Sequence, residues 1–342
     1  MKAMVLNKIS KVEEKPLELE DWPIPQPSLK QILVKISACG ICHTELDEIE
    51  GRLQPKLPII LGHEIVGKVD RLGPETTRFK LADRVGIAWI NSACGSCSFC
   101  HRGNENLCPE FQGTGCHANG GYAAYTVVSE DFAYPIPVNL SDLEAAPLLC
   151  AGAIGYRALR LTGLQDGQVL GLFGFGASAH IVIQIARHKY SNAKVFVFTR
   201  PGQNDHQDLA RKLGADWVGA TGQTPPQKLN CAIDFTPVWK PVVEALRVLE
   251  KSGRLVINAI RKESFDKEAL LGLDYPTHLW LEKEIKSVAN ITKADAEEFL
   301  PLAAEIPIVP EVREFTLEEA NEALMLLKQG NIQGAAVLKI SD

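Results

Sequence analysis

Positive charge is in short supply in this 342-residue chain: 36 Lys and Arg stand against 42 Asp and Glu, a formal net charge of -6. A deficit of that sign offers no electrostatic footprint for duplex nucleic acid or an anionic membrane surface, so neither is expected as a partner. A long unbroken apolar run is also missing. The longest candidate, Val169 to Ala186, is interrupted by Gly171, Gly174, Gly176, Ser178, His180 and Gln184, and it splits into strand and helix signals rather than a membrane span. The N-terminus has only the apolar stretch Ala3 to Leu6 between Lys2 and Lys8, too short for a secretory signal, and a cytoplasmic location is expected.

Cysteine, by contrast, is plentiful, with nine residues. An odd total without an export signal argues against a disulfide framework and for metal ligands or reactive thiols. Cys94, Cys97, Cys100 and Cys108 are bunched, whereas Cys39, Cys42, Cys116, Cys150 and Cys231 are scattered. Cys39, Cys116 and Cys231 suggest no role.

Up to about Cys150 the chain reads as short strands and turns, with clear alternation at Ile32–Ile36 and Ile65–Val69. From Val169 the texture changes to a strand (Val169–Phe173), a Gly-rich turn, a helix to about Lys189 and a strand (Lys194–Thr199). Next come a helix around Asp208–Leu213, a strand Cys231–Phe235, a helix from about Val242 to Leu249, and strands Arg254–Ile260 and Glu284–Ala289. A helix Leu317–Gln329 and a strand Gly334–Ile340 close the chain. The expected class is α/β, a β-rich irregular domain joined to a doubly wound parallel sheet.

Cys94-Gly-Ser-Cys97-Ser-Phe-Cys100 followed by Cys108 is C-x2-C-x2-C-x7-C, a spacing that lets four thiolates close around one tetrahedral Zn2+. An iron–sulfur cluster also takes four thiolates and stays open as an alternative. Four thiolates leave no coordination position for substrate, so such a site is structural and chemistry must lie elsewhere. Cys42-His43-Thr44-Glu45, Gly62-His63-Glu64 and Cys150 offer further ligand-grade groups on turns, each weak when taken singly.

The order Gly40-Ile41-Cys42-His43-Thr44, Gly62-His63-Glu64, the four-cysteine lobe, Cys150-Ala151-Gly152 and a Gly-rich turn resembles, along the whole chain, the zinc-dependent alcohol dehydrogenases of the medium-chain dehydrogenase/reductase superfamily. The resemblance implies a GroES-like catalytic domain over 1–151 and 289–342 and a Rossmann cofactor domain over 152–288. It implies two zinc ions per chain, with Cys42, His63 and Cys150 holding the catalytic one and Glu64 beside it. Two cysteines and a histidine with an open fourth position is the ligand set known for catalytic zinc in alcohol dehydrogenase. Thr44 stands where the family passes the alcohol proton onward, but the histidine that usually receives it is replaced by Asp47, so the proton leaves through Asp47 or directly to water. Glu45 replaces the usual Asp that orients His63. His43 resembles the residue that contacts the cofactor pyrophosphate. Trp89 matches a position lining the substrate cleft. Ile154 stands in place of a frequent Thr, and Gln333-Gly334-Ala335 lacks a frequent Arg.

Gly174-Phe-Gly176-Ala-Ser-Ala179, set between strand and helix, is the G-x-G-x-x-A fingerprint of a dinucleotide site. NAD enzymes usually carry an acid at the end of the next strand. Here Thr199-Arg200 stands there, and guanidinium pairs with phosphate, so NADP(H) is favoured and NAD(H) is the alternative. The expected reaction is hydride transfer between NADP(H) and a primary alcohol or aldehyde, by a homodimer or homotetramer. A secondary-alcohol or polyol dehydrogenase is the nearest rival, though such relatives commonly place Glu at position 150. A zinc-binding, dinucleotide-sensing interaction module is a remote alternative.

Overall fold

The apolar residues around Ile32–Ile36 nucleate a long strand, Gln31–Ile41, whose two register shifts let it bend while pairing with Glu64–Leu72 and Tyr125–Ser129. It is central to a seven-stranded sheet that runs from Ala133–Pro135 through Arg84–Ile87, Glu64–Leu72 and Gln31–Ile41 to Ala335–Lys339 and Val312–Thr316. A small sheet of Leu17–Asp21, Lys2–Leu6 and Ile59–Ile60 and a two-stranded antiparallel sheet of Ile90–Ser92 with Gln112–Gly113 complete the strands here. Side chains including Leu6, Ile32, Ile36, Ile49, Ile60 and Tyr122 fill one core. The computed structural model describes residues 1–306, 308, 310–332 and 334–341. The β-rich unit comprises Met1–Cys150 and Ile291–Asp342, and the second unit is Ala151–Asn290.

The second unit is a six-stranded parallel sheet in the order Trp217–Ala220, Lys194–Thr199, Val169–Phe173, Leu229–Asp234, Leu249–Ile257, Glu284–Ser287. Numbered along the chain this is 3-2-1-4-5-6, the Rossmann order, in which the direction of winding reverses beside the first strand. Every residue of Val169–Phe173 is buried, as a strand covered on both faces requires. Among the described residues no helix is long and apolar enough to cross a membrane.

Several elements differ from the sequence reading. The strand Trp217–Ala220 was not anticipated, because four residues containing Gly219 carry little periodicity. The helix Lys293–Glu305 was also missed: Pro301 reads as a breaker, yet the Thr292/Asp295 capping box starts the helix firmly. The helix expected around Asp208 begins at Asn204. The strand expected at Arg254–Ile260 spans Leu249–Ile257, pairing with Leu229–Asp234 across a bulge. Leu317–Glu319 is a 3₁₀ turn leading into the helix Ala320–Lys328.

Candidate active site and metal centres

The four-cysteine lobe closes on itself. Cys94 and Cys100 sulfurs lie 3.9 Å apart, Cys97 and Cys100 3.6 Å, and Cys108 and Cys94 3.5 Å. A tetrahedron of thiolates with bonds of about 2.3 Å to zinc has edges of about 3.8 Å, so the four sulfurs fit that ion. Backbone N–H groups of Cys97, Cys94 and Glu110 donate to Cys94, Cys108 and Cys108. Hydrogen bonds from Ser96, backbone first, help pull the Cys94 thiol down to about 6, whereas burial pushes Cys100 up to about 12.

The second cluster comes from three separated stretches. Antiparallel pairing of Gly40 with Glu64 carries the chain on to Cys42 and back to His63 at one end of neighbouring strands. Cys42 then caps the helix His43–Ile49: its Sγ accepts the Thr44 N–H at 3.3 Å, and Glu45 Oε2 accepts the Cys42 N–H at 2.8 Å. The other Glu45 oxygen lies 2.6 Å from His63 Nδ1, which leaves Nε2 facing the Cys42 sulfur at 3.7 Å. Sulfur and nitrogen on one tetrahedral zinc stand about 3.6 Å apart. Cys150 lies in a π-helical turn, Leu148–Gly152, a geometry enriched at functional sites. Ligand atoms of Cys42, His63, Glu64 and Cys150 all fall within 4.8 Å of one another.

Close backbone approach is built in, because a β-carbon at Gly40 would strike the Glu64 carboxylate and one at Gly62 would strike the Tyr122 ring. The cluster carries its charge expensively. The Cys150 thiol, then burial, raise Cys42 well above the usual thiol range; Cys42 lowers Cys150, but burial and the carboxylates outweigh it. Burial also pushes Glu64 up to about 8. Desolvation lowers His63, but the Glu45 and Cys42 charges outweigh it and raise the imidazole. A dication reverses this logic by stabilising both thiolates, so the donor set fits Zn2+.

Around these groups, Trp89 presents its ring edge-on to His63 at 5.1 Å. Thr44 is half-buried, and His43 is exposed. Asp47 is buried, with its carboxylate 2.5 Å from Arg52 Nε. Arg52 also holds Glu50, which reaches Lys328 and, through it, Glu13. Of the unassigned cysteines, Cys39 packs under Gly62 and Gly121, and Cys231 is buried within a sheet strand.

Glu48 was missed by sequence reasoning. It is fully buried on the helix His43–Ile49, and among the described residues no nitrogen or oxygen donor reaches its carboxylate, which faces the Cys116 thiol. Burial, reinforced by Glu45, raises its pKa well above the ordinary range, while His63 and Cys116 pull it down. An acid raised in the folded state favours folding below its unfolded pKa, near 4.3, and loses that contribution as pH rises. The melting temperature of Glu48→Gln should therefore drift upward relative to wild type as pH is raised from about 5 to about 8. Parallel melting curves across that range would show that Glu48 does not hold a proton on folding.

In the second unit, the turn after Val169–Phe173 holds Gly174 at φ +83°, and Gly176 caps the helix Ala177–Lys189. A β-carbon on Gly176 would meet nothing, so protein packing does not demand that glycine, and the space at the helix N-terminus suits a pyrophosphate. Ala179 is fully buried. A cavity of about 280 Å³ opens at the carboxyl ends of the strands, lined among others by Gly174, Thr199, Arg200, Gln203, His206 and Thr236. Among the described residues lining it, none is acidic. The Thr199 hydroxyl accepts from Gln207 at 2.9 Å and donates to the Arg200 carbonyl at 3.2 Å, so it is already committed within the protein. Gln203 and His206 were not anticipated; their only signal was their place in the turn and helix after Arg200. Ile154 is half-buried in the helix Ala153–Thr162, and Gly334-Ala335 lead into the last strand, while Gln333 lies outside the described residues.

Residues 28–138 match the alcohol dehydrogenase GroES-like domain family. The chain is 41% identical over 346 residues to a probable alcohol dehydrogenase of Mycobacterium tuberculosis, covering 99% of this chain and 97% of that one. It is 34% identical to an alcohol dehydrogenase of Geobacillus stearothermophilus, covering 99% and 100%. The crystal structure of an NAD-dependent alcohol dehydrogenase superposes with a TM-score of 0.87 at 25% identity over the full length of both chains. Matched end to end by these relatives, and carrying two cysteine-rich clusters whose spacing suits zinc, the chain belongs to the zinc alcohol dehydrogenases of the medium-chain dehydrogenase/reductase superfamily.

Proposed function

We propose that this protein is a zinc-dependent alcohol dehydrogenase or aldehyde reductase that transfers hydride between NADP(H) and a primary alcohol or its aldehyde. The observation that carries the reading is the convergence of Cys42, His63, Glu64 and Cys150 within 4.8 Å, separate from a closed four-thiolate lobe. When bound, zinc supplies Lewis-acid polarisation of the substrate oxygen and the nicotinamide gives or takes the hydride.

The chain's own residues do the rest. Cys42, His63 and Cys150 would hold the ion, with Glu64 alongside. Glu45 binds His63 Nδ1, fixing the imidazole so that Nε2 is the ligand atom. Thr44 takes the alcohol proton. Onward transfer runs to water, because the Asp47 carboxylate is engaged by Arg52. The turn of Gly174 and Gly176 binds the pyrophosphate, and Trp89 walls the substrate. Among the described residues lining the cavity at the carboxyl ends of the strands, Arg200 is present and no carboxylate is, which supports NADP(H) over NAD(H). An NAD-dependent enzyme remains the second reading, favoured by the similarity to the NAD-dependent structure.

The test is the initial rate of aldehyde reduction with NADPH and with NADH, on protein whose zinc has been quantified at two per chain. In Arg200→Ala, the KM for NADPH should rise about tenfold or more while that for NADH changes less than about twofold. Equal losses for the two cofactors would return the assignment to NAD(H). A homo-oligomer belongs to the same reading: strand Glu284–Ser287 lies at a sheet edge, and Phe265, Leu271 and Trp280 are exposed. Sedimentation of the same preparation as a monomer would remove it.

A further inference from the structure

The aromatic wall that starts at Trp89 continues away from His63. Phe111 stacks on Trp89 with ring centroids 6.3 Å apart, and His117 meets Phe111 edge-on at 6.1 Å. Gly113 lies between Trp89 and His117: a β-carbon there would sit 3.2 Å from the indole and 3.3 Å from His117 Nδ1. The three rings thus form one continuous strip whose first member touches a residue of the candidate metal centre.

His117 differs from the rest of the strip in its chemistry. The Gly113 amide donates to His117 Nδ1 at 2.9 Å. A backbone N–H can only donate, so Nδ1 is the acceptor and the neutral ring carries its proton on Nε2. That bond is fixed by a tight turn, because the amides of His117 and Ala118 both return to the Gly113 carbonyl, at 2.9 and 3.1 Å. The Nε2–H group has no partner among the described residues, and the side chain is only half-buried. An oriented donor therefore stands at the far end of a row whose other two rings, Trp89 and Phe111, are apolar.

We infer that His117 is a specificity-determining residue that donates a hydrogen bond from Nε2 to an acceptor oxygen at the distal end of the substrate. Resting on the assignment of Cys42, His63 and Cys150 as the substrate-oxygen site, this deepens the proposed function: the preferred substrates are elongated alcohols or aldehydes with a second oxygen remote from the reacting one. Apolar contact with Trp89 and Phe111 suits the intervening carbon chain, and the donor discriminates at its end.

The experiment compares primary alkanols with ω-methoxyalkanols of equal length, across a range of lengths, in wild type and two variants. A methoxy oxygen only accepts, so it reads the donor alone. In wild type, KM should fall about three- to tenfold for the methoxy partner at one length, with kcat unchanged. His117→Asn retains an acceptor near Nδ1 for the Gly113 amide but has no donor at the Nε2 position; it should lose the methoxy preference while keeping wild-type kinetics on plain alkanols, zinc content and melting temperature. His117→Gln carries an amide donor near the Nε2 position and should keep part of the preference. Wild type showing no length-dependent advantage, or His117→Asn retaining it, overturns the inference while leaving the proposed function standing. If His117→Asn is destabilised, the Gln variant decides, and its failure to discriminate overturns the assignment. Absence of turnover with any alcohol or aldehyde in zinc-replete wild type defeats the substrate-oxygen site itself, and this inference with it.

Discussion

Cys42→Ser is expected to reduce turnover about a thousandfold or more and to take the zinc content from two per chain to one, with the fold intact. The size follows from losing Lewis-acid assistance worth several kcal/mol, at about 1.4 kcal/mol per tenfold in rate. Survival of the fold follows from the local structure. Cys42 is the N-cap of the helix His43–Ile49, and serine is among the best N-cap residues, so its hydroxyl accepts the same amides. The Glu45 bond to the Cys42 backbone N–H is untouched. Serine is nonetheless a poor zinc ligand, because the hydroxyl stays protonated where a thiol beside the dication ionises. Metal analysis, melting temperature and kcat/KM on one preparation check the result. Wild-type turnover would remove Cys42 from the catalytic centre, and a collapsed fold would mean that its role is structural.

Cys97→Ser in the lobe should act in the opposite way, on structure first. Residues from Cys94 to Cys108 contain only the 3₁₀ turns Cys100–Arg102 and Glu105–Leu107, and Cys108 is the one buried residue among them. With so little apolar burial, the segment's order rests on its four thiolates, and structural zinc contributes folding energy directly, of order 10 kcal/mol in small metal-bound modules. Removing one ligand should speed amide exchange across Cys94–Cys108 about a hundredfold or more and open the segment to protease, while strands such as Val169–Phe173 keep their protection. Unchanged exchange in the lobe would show that it is held by packing after all.

The two metal clusters also show how legibility depends on sequence distance. The lobe was readable because its four ligands fall within one short segment, so spacing alone limits the geometry they can reach. The G-x-G-x-x-A turn was readable for the same reason, its strand, glycines and helix being consecutive. Cys42, His63 and Cys150 were weak individually, and only resemblance to a family joined them. What brings the first two together is the antiparallel register that sets Gly40 opposite Glu64, and no local pattern encodes that pairing. Likewise Glu45 was read as a partner for His63 by resemblance alone, whereas the 2.6 Å contact depends on a helix cap meeting a neighbouring strand end.

The partners of single side chains are hidden from the sequence for the same reason. Asp47 stands where the resemblance puts the proton-receiving histidine, with direct release to water as the alternative, and no local pattern shows that Arg52 folds back onto its carboxylate. Thr199 was read beside Arg200 as suiting a cofactor phosphate, and the sequence does not show that Gln207, in the first turn of the next helix, donates to its hydroxyl. Glu48 reads as one more charge in an acidic helix, since nothing in the run from Glu45 to Glu50 says which carboxylate will be sealed from water.

By itself, then, the sequence determined what can be built from neighbours: two kinds of domain, a four-thiolate lobe, a phosphate-binding turn and the donor types available for a second metal. Tertiary structure decided which of those donors meet, which carboxylates are engaged by arginine or sealed from water, and which tautomer His117 holds. The division is physical, because side-chain chemistry and turn geometry act over a few residues, whereas burial, hydrogen-bond partnership and charge are properties of the space that distant segments enclose together.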